Sequence, residues 1–351
     1  MELGLITFAD VYPESAGRAI NTNLRIKNLL EEIQLADQLG LDVFGVGEHH
    51  RPDYAVSSPS TILAAAAVVT KNIKLTSAVT VLSSDDPVRV FQQFATVDQL
   101  SNGRAEIMAG RGSFIESYPL FGYDLQDYDE LFTEKLDLLI QLNQQETISW
   151  KGKHRPSFEN LGVYPRPLQN SLPIWLAAGG TPTSAVRAAT LDLPLMLAII
   201  GGLPEQFVPF VNLYRSTAKK LGRDISKLQI GINNHVYVGE DSQKAGDEFY
   251  PYYAAMMNRV GRDRGWSPLS RAQFDYSRAP KGALMVGSVQ QVIDKILYEH
   301  ELFGNTRFFA QASVGNVPHE KTMRSIELFG DKVAPIIRRE LGIGKKLPVE
   351  L

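Results

Sequence analysis

The sequence predicts an α/β protein built as a closed (β/α)8 barrel, the TIM-barrel arrangement with insertions, over residues 1–351 as a single domain. Three observations carry this. Short apolar runs alternate eight times with stretches of helical periodicity. No linker divides that alternation into two blocks. The first strand runs into Thr7-Phe8-Ala9-Asp10-Val11-Tyr12 rather than a GxGxxG turn, which weakens the rival reading, an open doubly wound sheet.

Residues 3–8 form the first strand. Ile26, Leu29, Leu30, Ile33, Ala36 and Leu39 follow at helical spacing, with Gly40 as the stop. Residues 42–47 are strand two, and Ser58-Pro59 opens a helix to Val69 with Ser as N-cap and Pro at the first helical position. Strand three spans 73–82. Asp86-Pro87 opens the next helix, which ends near Ser101-Asn102-Gly103. Strand four covers 105–109, with a helix over about 128–143. Residues 146–172, broken by Gly152, Pro156, Gly162, Pro165 and Pro167, read as an excursion. Strand five is 173–177, with a helix from Thr181-Pro182. Strand six is 193–199, with a helix from about 204 to 221. Strand seven is 228–238. A long polar segment, 240–282, begins as helix and then reads as a charged loop, with 250–282 able to act as a lid. A helix over 288–303, strand eight over 306–312 and a helix from Pro318 to about Arg339 complete the chain.

The composition, 44% hydrophobic with a net charge of −3, supports a large core and no strong field for nucleic acid or an anionic membrane. The absence of cysteine excludes disulfides, thiolate nucleophiles, zinc ribbons and iron–sulfur clusters. The opening MELGLITFAD has no signal-peptide pattern, so a cytoplasmic location is expected. The longest apolar runs, such as Ile62–Val69 and Leu193–Ile200, are too short to span a bilayer.

Barrel chemistry gathers where strands end. After strand five, Gly179 and Gly180 let the backbone approach a ligand, and Thr181-Pro182 starts a helix whose free N–H groups favour an anion. Thr183 and Ser184 add hydroxyls. A tight, well-capped turn explains the same residues. Arg111, between two glycines at the end of strand four, suits phosphate oxygens or a surface ion pair. Glu48-His49-His50 ends strand two. Neighbouring side chains on a strand point oppositely, so a metal site is not expected; one histidine serves as acid, base or hydrogen-bond donor, or as a buried structural residue.

With these residues in place, the sequence resembles the bacterial luciferase-like monooxygenases. The resemblance rests on Gly47-Glu48-His49-His50 with Ser58-Pro59, on 76–82 continued by Asp86-Pro87-Val88-Arg89, and on 98–104 leading to Gly110-Arg111-Gly112. Pro173-Ile174-Trp175, Gly179-Gly180-Thr181-Pro182, 193–196 and Val286-Gly287-Ser288 continue it in order. It implies a barrel that binds reduced FMN at its mouth, with a cis peptide at Ala78–Val79 beside the flavin ring. It places the phosphate at Arg111, Gly179, Gly180 and Thr183, and His49 near the reactive face. It further implies O2 and a small organic substrate, flavin reduced by a separate NAD(P)H:flavin reductase, and a homodimer, in which the small-residue helix at Ala64–Ala67 could pack. An F420-dependent dehydrogenase and a non-catalytic flavin-binding protein are the alternatives. Luciferase itself has a cysteine at the position of Gly110, and an acidic residue and serine at Gly179-Gly180, so light emission is not implied.

Overall fold

The computed structural model describes residues 1–11 and 21–342. Along the chain the strands are β1 (Glu2–Thr7), β2 (Val43–Val46), β3 (Lys74–Ser77), its continuation β4 (Thr80–Val81) and β5 (Ala105–Gly110). Next come β6 (Thr147–Trp150) and β7 (Phe158–Gly162), which pair antiparallel with each other, outside the barrel sheet. They are followed by β8 (Ile174–Ala178), β9 (Leu195–Ala198), β10 (Ile230–Gly239), β11 (Met285–Ser288) and β12 (Arg307–Ser313). The parallel order β1-β2-β3-β5-β8-β9-β10-β12 returns to β1, so the sheet closes into the expected eight-strand barrel.

The helices are α1 (Thr22–Gln38), α2 (Pro59–Val69), α3 (Pro87–Leu100), α4 (Ser117–Leu120), α5 (Tyr128–Gln144), α6 (Pro182–Leu191), α7 (Val208–Lys220), α8 (Ser242–Arg264), α9 (Arg271–Ser277), α10 (Val289–Phe303), α11 (His319–Leu328) and α12 (Ala334–Glu340). Their starts follow local chemistry. The Asp86 carboxylate accepts the Val88 and Arg89 N–H groups ahead of Pro87, and Ser288 and Gln291 cap each other at α10. Val90, Phe91, Phe94 and Val97 form the buried face of α3. Each contributes about 1.5–3 kcal/mol relative to exposure. None of the described helices is long and apolar enough to cross a membrane.

Two stretches differ from the sequence reading. The segment after β10 begins as the expected helix, but α8 runs on to Arg264 and α9 adds a further helix where the sequence suggested a charged loop, and together they bury Phe249, Tyr253, Met256 and Phe274 in a second core cluster. Its apolar residues are spaced among so many Gly, Ser, Pro and charged positions that the helical face is masked. β11 was not expected either. It is four residues long, runs directly into α10, and pairs with Val236–Gly239 of β10, beyond the stretch that β9 covers.

Ile6, Val43, Ala78, Met108, Trp175, Met196 and Phe309 fill the barrel interior. Below them, at the strand starts, Arg307 is 2% exposed and holds Glu106 at 2.6 and 3.0 Å and Glu2 at 2.7 Å, with its guanidinium 4.2 Å from the Trp175 ring. Lys74 adds a contact to Glu2 at 2.6 Å. Every charge in this plug faces an opposite one.

Candidate active site at the barrel mouth

Alternation along each strand carries the inward face one layer up from that filling. Two residues beyond Ile6, Met108, Trp175, Met196 and Phe309 stand Phe8, Gly110, Ala177, Ala198 and Gln311. Gly47 belongs to the same layer, since a Cβ there would meet Phe8 and the Ala78 carbonyl. A Cβ on Gly110 would likewise fall 2.7 Å from Val79. The floor of the mouth is therefore flat and apolar. Val79, Ala177 and Ala198 remain partly exposed on it. The Ala78–Val79 peptide bond is cis, and Val79 meets Gly110 across the floor. Asn233 and Gln311 form the polar side of this layer.

The phosphate candidates divide. The Arg111 guanidinium reaches Thr181 Oγ1 at 3.3 Å and Ser184 Oγ at 3.4 Å, while its other amino group pairs with Asp129 at 2.7 Å. Thr181 and Ser184 also bond each other at 2.8 Å. Gly180 has φ +102°, a conformation that favours glycine, and it turns the chain into the N-terminus of α6. Cation, two hydroxyls and helix N-terminus thus converge on one point. Gly179 lies exposed on this turn with open space where a Cβ would stand, leaving the backbone approachable. Thr183 is not among the groups that Arg111 reaches. It is exposed and lines a groove of about 840 Å³ between α5, the β6–β7 hairpin and α6, together with Leu136, Trp150 and Val186. Ser184 takes the place expected for it at Arg111.

His49 lies in an aromatic box. Its ring is 4.6 Å from Phe8, 4.2 Å from Tyr54 and 5.1 Å from Phe114. Nε2 is buried and meets no hydrogen-bond partner among the described residues. An ordinary histidine titrates near 6.5; burial, with the charges of His50 and Arg51 nearby, pushes His49 down to about 3. The imidazole is therefore neutral at pH 7. It can accept or donate one hydrogen bond but does not arrive as a proton carrier. His50 points away, as adjacent strand positions require, and pairs with Glu48 at 2.8 Å. The second Glu48 oxygen accepts the Val81 N–H, tying β2 to β4 beside the cis peptide.

The covering over His49 is tied down chiefly by Arg51, with Arg264 adding a second tie. Arg51 reaches Glu116 at 2.5 Å on the loop after β5 and Asp263 at 2.7 Å on the last turn of α8, and lies 4.8 Å from the Phe114 ring. Arg264 donates to the Ser113 carbonyl at 3.2 Å. The space left between His49, Val81, Phe114 and Ser117 is about 10 Å³, room for one water at most. Away from the mouth, Asp127, Glu130 and His154 bring three donor groups together, but Lys153 also pairs with Glu130 at 2.5 Å.

Sequence reasoning missed Tyr54 and Asn233. Tyr54 carries no local signal. Asn233 had a weak one: with Asn234 and His235 it interrupts the apolar run of β10.

Comparison with known proteins agrees with this architecture. The family model for luciferase-like monooxygenase matches residues 1–306. The oxygenase component of the flavin-dependent trigonelline monooxygenase of Acinetobacter baylyi is 26% identical over 329 residues, covering 88% of each chain. Monooxygenase RslO1 from Streptomyces bottropensis superposes with a TM-score of 0.83 at 25% identity, over 96% of this chain and 99% of that one. An F420-dependent secondary alcohol dehydrogenase shares the fold at 17% identity and a TM-score of 0.74, over 96% and 99%. With barrel, mouth and family match in agreement, the chain belongs to the luciferase-like monooxygenase family.

Proposed function

We propose that the protein is the oxygenase of a two-component system: it takes FMN reduced by a separate NAD(P)H:flavin reductase and uses O2 to oxygenate a small organic substrate. The observation that carries the FMN site is the convergence of Arg111, Thr181 and Ser184 at the N-terminus of α6, a donor set suited to a phosphate dianion. The relative at 26% identity is named as flavin-dependent and as an oxygenase component, which supports flavin and a reductase partner. When bound, reduced flavin supplies the electrons that activate O2, one atom of which enters the substrate while the other leaves as water.

The chain's own residues do the rest. Arg111 and the two hydroxyls anchor the phosphate, with Asp129 giving up its pair to Arg111 in exchange. Gly179, Gly180 and Thr181 bring the backbone of the turn to that anion. Ala78 and Val79 present one apolar wall to the ring. His49 offers an unpaired Nε2 at the reacting face, and Phe8, Tyr54 and Phe114 exclude water around it. The small space beside His49 means that the Phe114 loop and the α8 end, within the proposed 250–282 lid, shift together to admit a ring. A homodimer would use the outer face of α2, where Val68 is 67% and Val69 44% exposed, whereas Ala66 and Ala67 face the core. Ala65→Glu with Val68→Glu should then lower the solution mass; an unchanged mass removes α2 from the interface.

The fold is shared with an F420 enzyme, so F420 is the second reading. Titration with FMN, FAD, riboflavin and F420, oxidised and reduced, followed by absorbance, tests both. Tight binding of reduced FMN and oxygen-dependent product formation are expected. Binding of F420 alone, with substrate oxidation under anaerobic conditions, overturns the FMN assignment.

A further inference from the structure

Building on the flavin reading, we propose that Asn233 accepts a hydrogen bond from the N–H on the pyrimidine edge of the cofactor ring, and that Gln311 is the positioning residue that turns Asn233 toward it.

Asn233 is 5% exposed, and its amide is half satisfied. Nδ2 donates to Gln311 Oε1 at 3.3 Å, while the buried Oδ1 has no partner among the described residues. A buried amide oxygen left in that state costs about 1–3 kcal/mol. Such an atom at the wall of a mouth marks where a ligand donor completes the set. Because Gln311 engages the amino side of the amide, the carbonyl side is the one left for the ligand.

Position identifies the donor. Asn233 stands directly opposite Ala198 in the β10–β9 register. Around the barrel, the phosphate candidates sit at the ends of β5 and β8, the open floor lies over Val79, Ala177 and Ala198, and Asn233 follows on β10. A flat ring tethered at Arg111 and laid on that floor has β10 at its far edge. The inward residues there, Ala177, Ala198, Asn233 and Gln311, carry no formal charge, which suits an uncharged N–H flanked by carbonyls rather than a carboxylate or an ammonium group. FMN and F420 share this edge, so the assignment holds for either cofactor.

The test compares FMN with N3-methyl-FMN, which lacks the hydrogen, and with riboflavin, which lacks the phosphate, by flavin fluorescence and absorbance titration of the full chain. The wild type should bind FMN about tenfold or more tightly than N3-methyl-FMN. Asn233→Leu should bind both alike, at the weaker affinity. Gln311→Leu should shrink the preference, and Gln311→Glu, which keeps the acceptor for Asn233 Nδ2, should restore most of it. Equal wild-type affinities overturn the proposal, as does a preference that survives Asn233→Leu, because sterics alone then explain it. If Asn233→Leu does not fold, the wild-type ratio and the Gln311 pair decide. Failure of the underlying flavin reading looks different: no flavin binds, or FMN and riboflavin bind equally.

Discussion

The two ends of the barrel solve opposite problems. At the strand starts, Arg307, Glu106, Glu2 and Lys74 are charged, buried to differing degrees and fully paired. Toward the strand ends, His49 and Asn233 are neutral, buried and each short of one partner among the described residues. The lower end has paired its charged groups within the chain, although the buried Asn305 Oδ1 there lacks a partner among the described residues, so it reads chiefly as structure. The upper end has left hydrogen-bonding capacity unspent, so it reads as a place where something else binds.

Four experiments break or sharpen that contrast. Glu106→Ala leaves the buried Arg307 with only the half-buried Glu2 as counter-charge and should cost about 3 kcal/mol in urea unfolding, with FMN affinity of the folded protein unchanged. A loss below about 1 kcal/mol would mean that the plug is not an obligate pair. Arg111→Ala, at the other end, should leave stability nearly intact but weaken FMN by about 1.5–3 kcal/mol, roughly ten- to a hundredfold, with riboflavin hardly affected. Equal losses for both ligands would remove Arg111 from the phosphate site.

The third concerns pH. His49 has a pKa of about 3 in the folded protein against an ordinary 6.5. The unfolded chain takes up a proton below about 6.5 that the folded protein refuses until far lower, so this stability is complete above that point and is lost as pH falls. Between pH 7 and 5 the wild type should lose about 2 kcal/mol more than His49→Gln. His235, pushed down to about 4 by burial, stays in both proteins and cancels from the comparison. Identical pH profiles would show that His49 is solvated in solution. The smallest effect is on affinity. His49→Gln should hold FMN within a few-fold of wild type, under about 1 kcal/mol, while more of the consumed O2 appears as peroxide. Normal coupling together with a lowered melting temperature would make His49 a structural residue.

Much of the barrel was legible because each βα unit announces itself locally. Asp86-Pro87 begins its helix through a side-chain cap as well as the fixed proline φ, whereas Ser58-Pro59 and Thr181-Pro182 rely on the proline φ, with no cap bond from the Ser58 or Thr181 side chain. The rim was legible for the same reason: Arg111 between glycines and the Gly-Gly-Thr-Pro turn are short-range signals. Phe8, Tyr54 and Phe114 come from three separate segments, and only closure of the barrel brings them around His49. The shift in the His49 pKa follows from that closure, so no pattern in the strand could reveal it. β11 and α9 stayed hidden because each is short and depends on tertiary partners, β11 on β10 and Phe274 of α9 on Tyr250 and Tyr253 of α8.

Arg51 has one further consequence. A single guanidinium faces Glu116 and Asp263, so the two flaps over His49 are bolted by the same pin. Neither carboxylate can leave without altering the charge balance felt by the other. Both contacts lie near the surface, where dissolved ions weaken such attractions. Ionic strength therefore acts on the loop after β5 and on the tip of α8 as one hinged door, and salt becomes a handle on access to the mouth.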